Sequence, residues 1–276
     1  MNDAHGQNRS NPLPWPLKFA YAIPALPLAV IGIPVYVFLP KFYTDTIGLD
    51  IALVGILLMA VRLFDAVTDP VIGYLSDRTQ TVFGRRKPYI ALGAAGLALS
   101  VIFLFQPPVL EGSLLNLYFG FWLFALFFFW TLITIPYEAL GPELTPDYHE
   151  RTALFALRDG LLIAGTLLAA ASPLLIDKAL HLWGIPTTDR LRFTVMAYLF
   201  APMIFMVPLY SITRIRENVS LIPNETLFSG FASVIKNRPF MILLAGYTIS
   251  ALGSNLPATL ILYYVGYVLK SQNAEL

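Results

Sequence analysis

Arg62, Asp65 and Asp69 stand inside an apolar run that extends from Ile51 to Leu75. Positions i, i+3 and i+7 share one face of a helix, so the three ionisable groups form one polar stripe. A charge at the centre of a membrane-spanning helix costs roughly 2.5–3.5 kcal/mol on insertion scales. Such a stripe points away from lipid, and the ligand that intramembrane carboxylates invite is a cation. The structural alternative is that Asp65 pairs with Arg62 while Asp69 only holds a bundle together. A second charged pair, Arg158 and Asp159, lies about two turns inside another apolar run.

These groups need spanning helices to carry them, and the composition supplies the material. Of 276 residues, 57% are hydrophobic and 13% charged. Ordinary soluble domains carry about 25% charged residues, so the sequence reads as an integral membrane protein. Its net charge of +1 gives no hint of a nucleic-acid partner, and the absence of cysteine excludes disulfides and thiolate metal sites. The histidines His5, His149 and His181 are scattered, and no nucleophile–base set or metal spacing is visible, which argues against an enzyme. No cofactor is implied beyond a coupling ion.

About 20 apolar residues suffice to cross a bilayer as a helix. Seven stretches qualify: 19–39, 51–75, 89–105, 114–135, 153–176, 193–212 and 240–269. None alternates with the period of a barrel strand, so the predicted fold is all-helical. Met1–Lys18 is a polar, Pro-rich tail without the order of a signal peptide. Lys and Arg concentrate on the side of the N-terminus, which predicts a cytoplasmic N-terminus in a cell (inner) membrane. The domains read as a tail over 1–18, a six-helix bundle over 19–212, a connector over 213–239 and a seventh span with a short tail over 240–276. Within the connector, Leu227, Phe228, Phe231, Val234 and Ile235 recur at helical spacing, and an amphipathic helix on the membrane face is predicted. Pro24, Pro27, Pro34 and Pro40 predict a kinked first span, beside a central cavity or simply bent in packing. The tract from Phe127 to Trp130 reads as lipid-facing bulk.

Between the second and third spans runs Gly73-Tyr-Leu-Ser-Asp77-Arg78, followed after five residues by Gly84-Arg85-Arg86-Lys87-Pro88. This segment resembles the loop motif of the major facilitator superfamily. Its length, and the preceding Phe64-Asp65-Ala66-Val67-Thr68-Asp69-Pro70, resemble the glycoside–pentoside–hexuronide cation symporters of the melibiose permease type. Phe42-Tyr43-Thr44-Asp45 and Ile135-Pro136-Tyr137-Glu138 fit the same family. The resemblance implies a secondary transporter with the six-helix N-terminal bundle of a facilitator fold. It implies cation-coupled symport of a sugar, a glycoside or another small solute, with lipid, solute and coupling cation as partners. It places the cation at Asp65, Thr68, Asp69 and Thr131, where Thr68 replaces a family asparagine. Oxygen sets of this kind suit Na⁺, while paired carboxylates also favour protons, so both couplings stay open. Arg62, Arg158 and Thr134 become candidates for binding substrate or compensating charge. Arg158 would meet an anionic or hydroxyl-rich solute, or neutralise the helix-two acids. Gly73, Asp77, Arg78, Gly84, Arg85 and Arg86 become a gating loop, or fix topology by charge alone.

The sequence departs from this family in three places. Ala29 and Thr134 stand where sugar-gripping carboxylates are found, and Glu138 replaces a tryptophan. Facilitators have two halves with the site between them. One half, a connector and a seventh span predict a truncated form of a longer protein. The alternative is a non-transporting half-carrier that needs a partner chain or a second copy.

Overall fold

The computed structural model describes residues 12–217 and 236–263. Six helices among them are long and apolar enough to cross a membrane. We number them α1 (Trp15–Ile47), α2 (Ile51–Arg78), α3 (Lys87–Phe105), α4 (Gly112–Leu144), α5 (Tyr148–Leu182) and α6 (Asp189–Arg214).

The prolines shape α1. Ordinary α-helical turns, Trp15–Ala22 and Ala25–Val30, meet at Pro24. From Pro34 onward the helix widens into π-helical turns at Pro34–Phe38 and Phe42–Ile47. Each proline removes one backbone donor, and the π turns re-aim the remaining ones. Widening lets the helix run past the predicted stop at Leu39 and end at Gly48, whose φ of 94° suits a residue without Cβ. Asp50 then caps α2 by accepting from the Leu53 N–H at 3.0 Å. Asp147 and Thr188 cap α5 and α6 in the same way.

Packing is uneven. Tight contacts join α3 to α4 and α6, α1 to α5, and α2 to α4. Close approach depends on small residues: a Cβ at Gly93 would stand 2.7 Å from Ile133, and one at Gly165 would strike the Leu26 carbonyl. Tyr21, Tyr43, Phe105 and Phe119 fill the centre of the bundle. The buried Tyr43 hydroxyl is satisfied by the Leu104 carbonyl at 2.8 Å. Over its most apolar stretch α3 is 56% buried, whereas α2 is only 11% buried. The helix that carries the acids is therefore the least covered of the six.

At 33 and 35 residues, α4 and α5 reach about 50 Å, well beyond a hydrocarbon layer of about 30 Å. Their length therefore exceeds what the hydrocarbon layer can hold. A further helix, α7 (Arg238–Tyr263), belongs to a second compact unit, Leu221–Leu276. The amphipathic helix predicted in the connector lies outside the described residues.

Candidate functional site

The polar stripe of α2 is real in geometry but split in its partners. The Arg62 guanidinium lies 3.6 Å from the Asp65 carboxylate. It also sits over the Tyr36 ring at 4.4 Å and the Phe127 ring at 5.5 Å. Asp69 accepts a hydrogen bond from the Thr131 hydroxyl of α4 at 2.9 Å. Asp65 and Asp69 lie within electrostatic reach of one another. One Asp65 oxygen, Oδ1, is buried without a hydrogen-bond donor among the described residues. A buried acceptor left unpaired is expensive, commonly about 1–3 kcal/mol. A hydrogen-bond donor, a proton or a cation would satisfy such an oxygen.

Thr68 is placed differently. Its hydroxyl donates to the Phe64 carbonyl of its own helix at 3.1 Å. Thr134 does the same to Trp130 at 2.8 Å. Neither hydroxyl is donated across to a carboxylate, as Thr131's is.

The tract from Phe127 to Trp130 is not lipid-facing bulk. Phe127 is 3% exposed, and Phe128, Phe129 and Trp130 are half-buried. Phe127 and Trp130 stack at 6.0 Å, and both approach Tyr36 of α1. The run of bulky residues wraps around the helix, so its members cannot all share a lipid face. Tyr36 was missing from the sequence reading; one signal for it was its place beside Pro34 in the kinked span.

Arg158 pairs with its neighbour Asp159 at 2.9 Å and lies over the Phe155 ring at 4.9 Å. Its partner is thus on α5 itself, and among the described residues no ion pair joins it to the α2 acids. Beside it, Tyr21 stacks on Tyr137 at 5.1 Å, and the Tyr137 hydroxyl donates to the Tyr21 carbonyl at 2.8 Å.

At the end of α2 the polar groups are densely paired. Arg86 is 5% exposed, and its guanidinium meets Asp77 at 2.5 Å, Glu143 at 2.9 Å and the Ala139 carbonyl at 2.7 Å. Arg85 meets the same Glu143 oxygen at 2.7 Å. Arg78 lies over the Tyr74 ring at 4.2 Å. Gly73 faces the Ile135 side chain of α4, where an added Cβ would be in ordinary contact.

Glu217, just beyond α6, closes this network. Its carboxylate accepts from the backbone N–H groups of Arg85 at 2.6 Å, Arg86 at 3.2 Å and Lys87 at 2.9 Å. It thereby caps α3 from across the bundle, at the end where a helix favours negative charge. Gly84 has φ of 118°, and a Cβ there would stand 2.8 Å from the Glu217 carboxylate. Gly84 is thus required twice, for its backbone and for its lack of a side chain. Neither Glu217 nor Glu143 was among the sequence candidates. Their partners are more than 50 residues away along the chain.

Comparison with known proteins agrees with this architecture. The family model described as MFS/sugar transport protein matches residues 20–276. An uncharacterized symporter of Synechocystis is 31% identical over 72% of this chain and 37% of its own length. A putative glycoside/cation symporter of Escherichia coli is 27% identical over 84% of this chain and 50% of its own length. A sodium-dependent lysophosphatidylcholine symporter of Danio rerio is 32% identical over 56% of this chain and 29% of its own length. The chain thus spans about half or less of the length of these curated relatives. A family of transporters rather than enzymes accounts for a bundle whose charges sit at the middle and one end of a spanning helix. The chain belongs to the MFS/sugar transport protein family and is a multi-pass membrane protein.

Proposed function

We propose that this chain is the N-terminal bundle of a cation-coupled symporter for a sugar, a glycoside or a related small solute, with its N-terminus on the cytoplasmic side of the cell membrane. The observation that carries the reading is the unpartnered Oδ1 of Asp65, beside Asp69 and its Thr131 donor. A cation held between Asp65 and Asp69 would offset their buried charge. Thr131 would then turn from donating to Asp69 towards lending its own oxygen to the ion. Thr68 has a free lone pair to contribute, since its proton is used within α2. The names of the relatives support symport with a cation, and both Na⁺ and H⁺ suit the oxygen set.

The sparse cover of α2 supports a second bundle opposite this one, on a longer polypeptide or on a partner chain. The network around Arg86 and Asp77 would hold α2, α3 and α4 together at the cytoplasmic end while the two bundles rock.

The test is solute accumulation in vesicles under an imposed Na⁺ or proton gradient, using the protein with both bundles present. Asp65→Asn and Asp69→Asn should each abolish gradient-driven accumulation. Accumulation that follows the gradient unchanged in both variants would overturn the ion site.

A further inference from the structure

The loop between α2 and α3 carries its apolar residues on the outside. Val82 is 96% exposed and Phe83 is 76% exposed. They are the two central residues of a turn over Thr81–Gly84. The Gly84 N–H donates to the Thr81 carbonyl at 3.1 Å, and the Phe83 N–H donates to the Thr81 hydroxyl at 3.3 Å. Such central positions usually carry Pro, Asp, Asn or Gly, not a bulky apolar pair.

Both sides of this turn are fixed. The Thr79 hydroxyl lies 2.7 Å from the Tyr89 hydroxyl of α3. On the other side, Glu217 holds the Arg85, Arg86 and Lys87 N–H groups. Val82 and Phe83 therefore stand out from an anchored base, and the loop does not fold back to cover them.

The lengths place that base at a membrane surface. With 19 residues, α3 is about 28 Å long, close to the thickness of the hydrocarbon layer. Its first residue, Lys87, thus stands where hydrocarbon meets headgroups. The tip of the turn is four residues from either helix, and four residues reach at most about 14 Å. Headgroups lie within that distance.

The charge around the turn is positive. The acids at this end, Asp77, Glu143 and Glu217, are engaged by Arg85, Arg86 and backbone donors. Glu217 also draws the end of α6 to the loop, and Arg214 and Arg216 beside it are both exposed. With Lys87 they flank an apolar tip with cations. Apolar side chains among exposed Lys and Arg are the pattern that binds an anionic bilayer surface.

We propose that the Thr81–Gly84 turn is a membrane anchor: Val82 and Phe83 enter the headgroup region of the adjacent leaflet, and Lys87, Arg214 and Arg216 hold its anionic lipids. This goes beyond the transporter reading and does not rest on it.

The chain has no cysteine, so Val82→Cys carries a single nitroxide and leaves Phe83 in place. Depth is read by comparing relaxation by oxygen, which concentrates in the bilayer, with relaxation by a water-soluble nickel chelate. In vesicles of phosphatidylcholine with phosphatidylglycerol, the oxygen-to-nickel ratio should be about fivefold higher at Val82→Cys than at Gln80→Cys, an exposed position in the same loop. Adding Phe83→Asp should bring it down to the Gln80→Cys value. Phosphatidylcholine alone, or high salt, should lower the ratio about twofold. Val109→Cys, 84% exposed in the connection between α3 and α4, should ignore lipid charge.

Equal ratios at positions 82 and 80 overturn the proposal. So does a ratio at 82 that ignores lipid charge, or an equal response at 109. The same label in the protein with both bundles present should keep its ratio. Shielding there from both relaxants alike would mean that the second bundle covers the turn, and would overturn the lipid assignment. No transport is needed, so failure of the α2 ion site would appear in gradient-driven uptake and failure of the anchor in this ratio.

Discussion

The two polar regions of α2 are only about 12 Å apart along one helix, yet they are built to opposite rules. At Asp77 the end of the helix enters a network dense in charge-assisted bonds. Arg86 is buried with three partners, and Glu217 answers three backbone donors. At Asp65 and Asp69 the set is open: one carboxylate oxygen lacks a donor, and one cross-helix bond comes from Thr131. A group that must release and rebind an ion cannot be saturated by the protein. A group that must hold three helix ends cannot leave a buried charge unpaired. The difference separates a site of exchange from a site of attachment.

The largest effect that would break this comparison lies at Arg86. Arg86→Met takes the buried guanidinium from Asp77 and leaves Glu143 to Arg85, and we expect a loss of about 3–5 kcal/mol in unfolding of the detergent-solubilised chain. A melting temperature unchanged from wild type would mean that the network holds nothing. Next comes Glu217→Ala, which uncaps α3 and frees three N–H groups. About 1–2 kcal/mol should be lost, with Glu217→Gln recovering part of it through the remaining oxygen.

The midplane should respond in the opposite way. Asp65→Asn removes a poorly satisfied charge, so stability in the absence of added cation should change by about 1 kcal/mol or less. With Na⁺ as the coupling ion, its stabilisation of the wild type, read as the rise in melting temperature along a salt titration with choline as control, should disappear in this variant. A loss as large as that of Arg86→Met would erase the contrast between the two regions. The smallest effect is expected at Thr68→Val. It breaks only a bond within α2, so its cost should stay within about 0.5 kcal/mol. Thr131→Val, which removes the one cross-helix donor to Asp69 among the described residues, should shift the Na⁺ midpoint further than Thr68→Val does. The reverse order would make Thr68 the stronger ligand.

Much of this molecule was legible one helix at a time. Hydropathy located α1 to α6, because a spanning helix must satisfy its backbone internally and show an apolar surface. The i, i+3 spacing of Arg62 and Asp65 announced their pairing, since a helix puts those positions on one face. The prolines announced a kinked α1, but not that π-helical turns would carry it to Ile47. The Phe127–Trp130 tract was misread because hydrophobicity alone does not say which side of a helix meets Arg62. Glu217 was silent, since an acid after the last span looks like any other polar residue in a connector.

By itself, then, the sequence determined what local chemistry determines: spanning helices, their order, the acids placed within α2 and the basic loop that follows it. Family resemblance added Thr131 as a companion of those acids. Tertiary structure alone decided which polar groups are satisfied. Asp69 and Thr131 lie 62 residues apart, and Glu217 caps a helix that begins 130 residues earlier. Whether a carboxylate ends as a latch or as an open ligand depends on which donors other helices bring within about 3 Å, and no single segment carries that information.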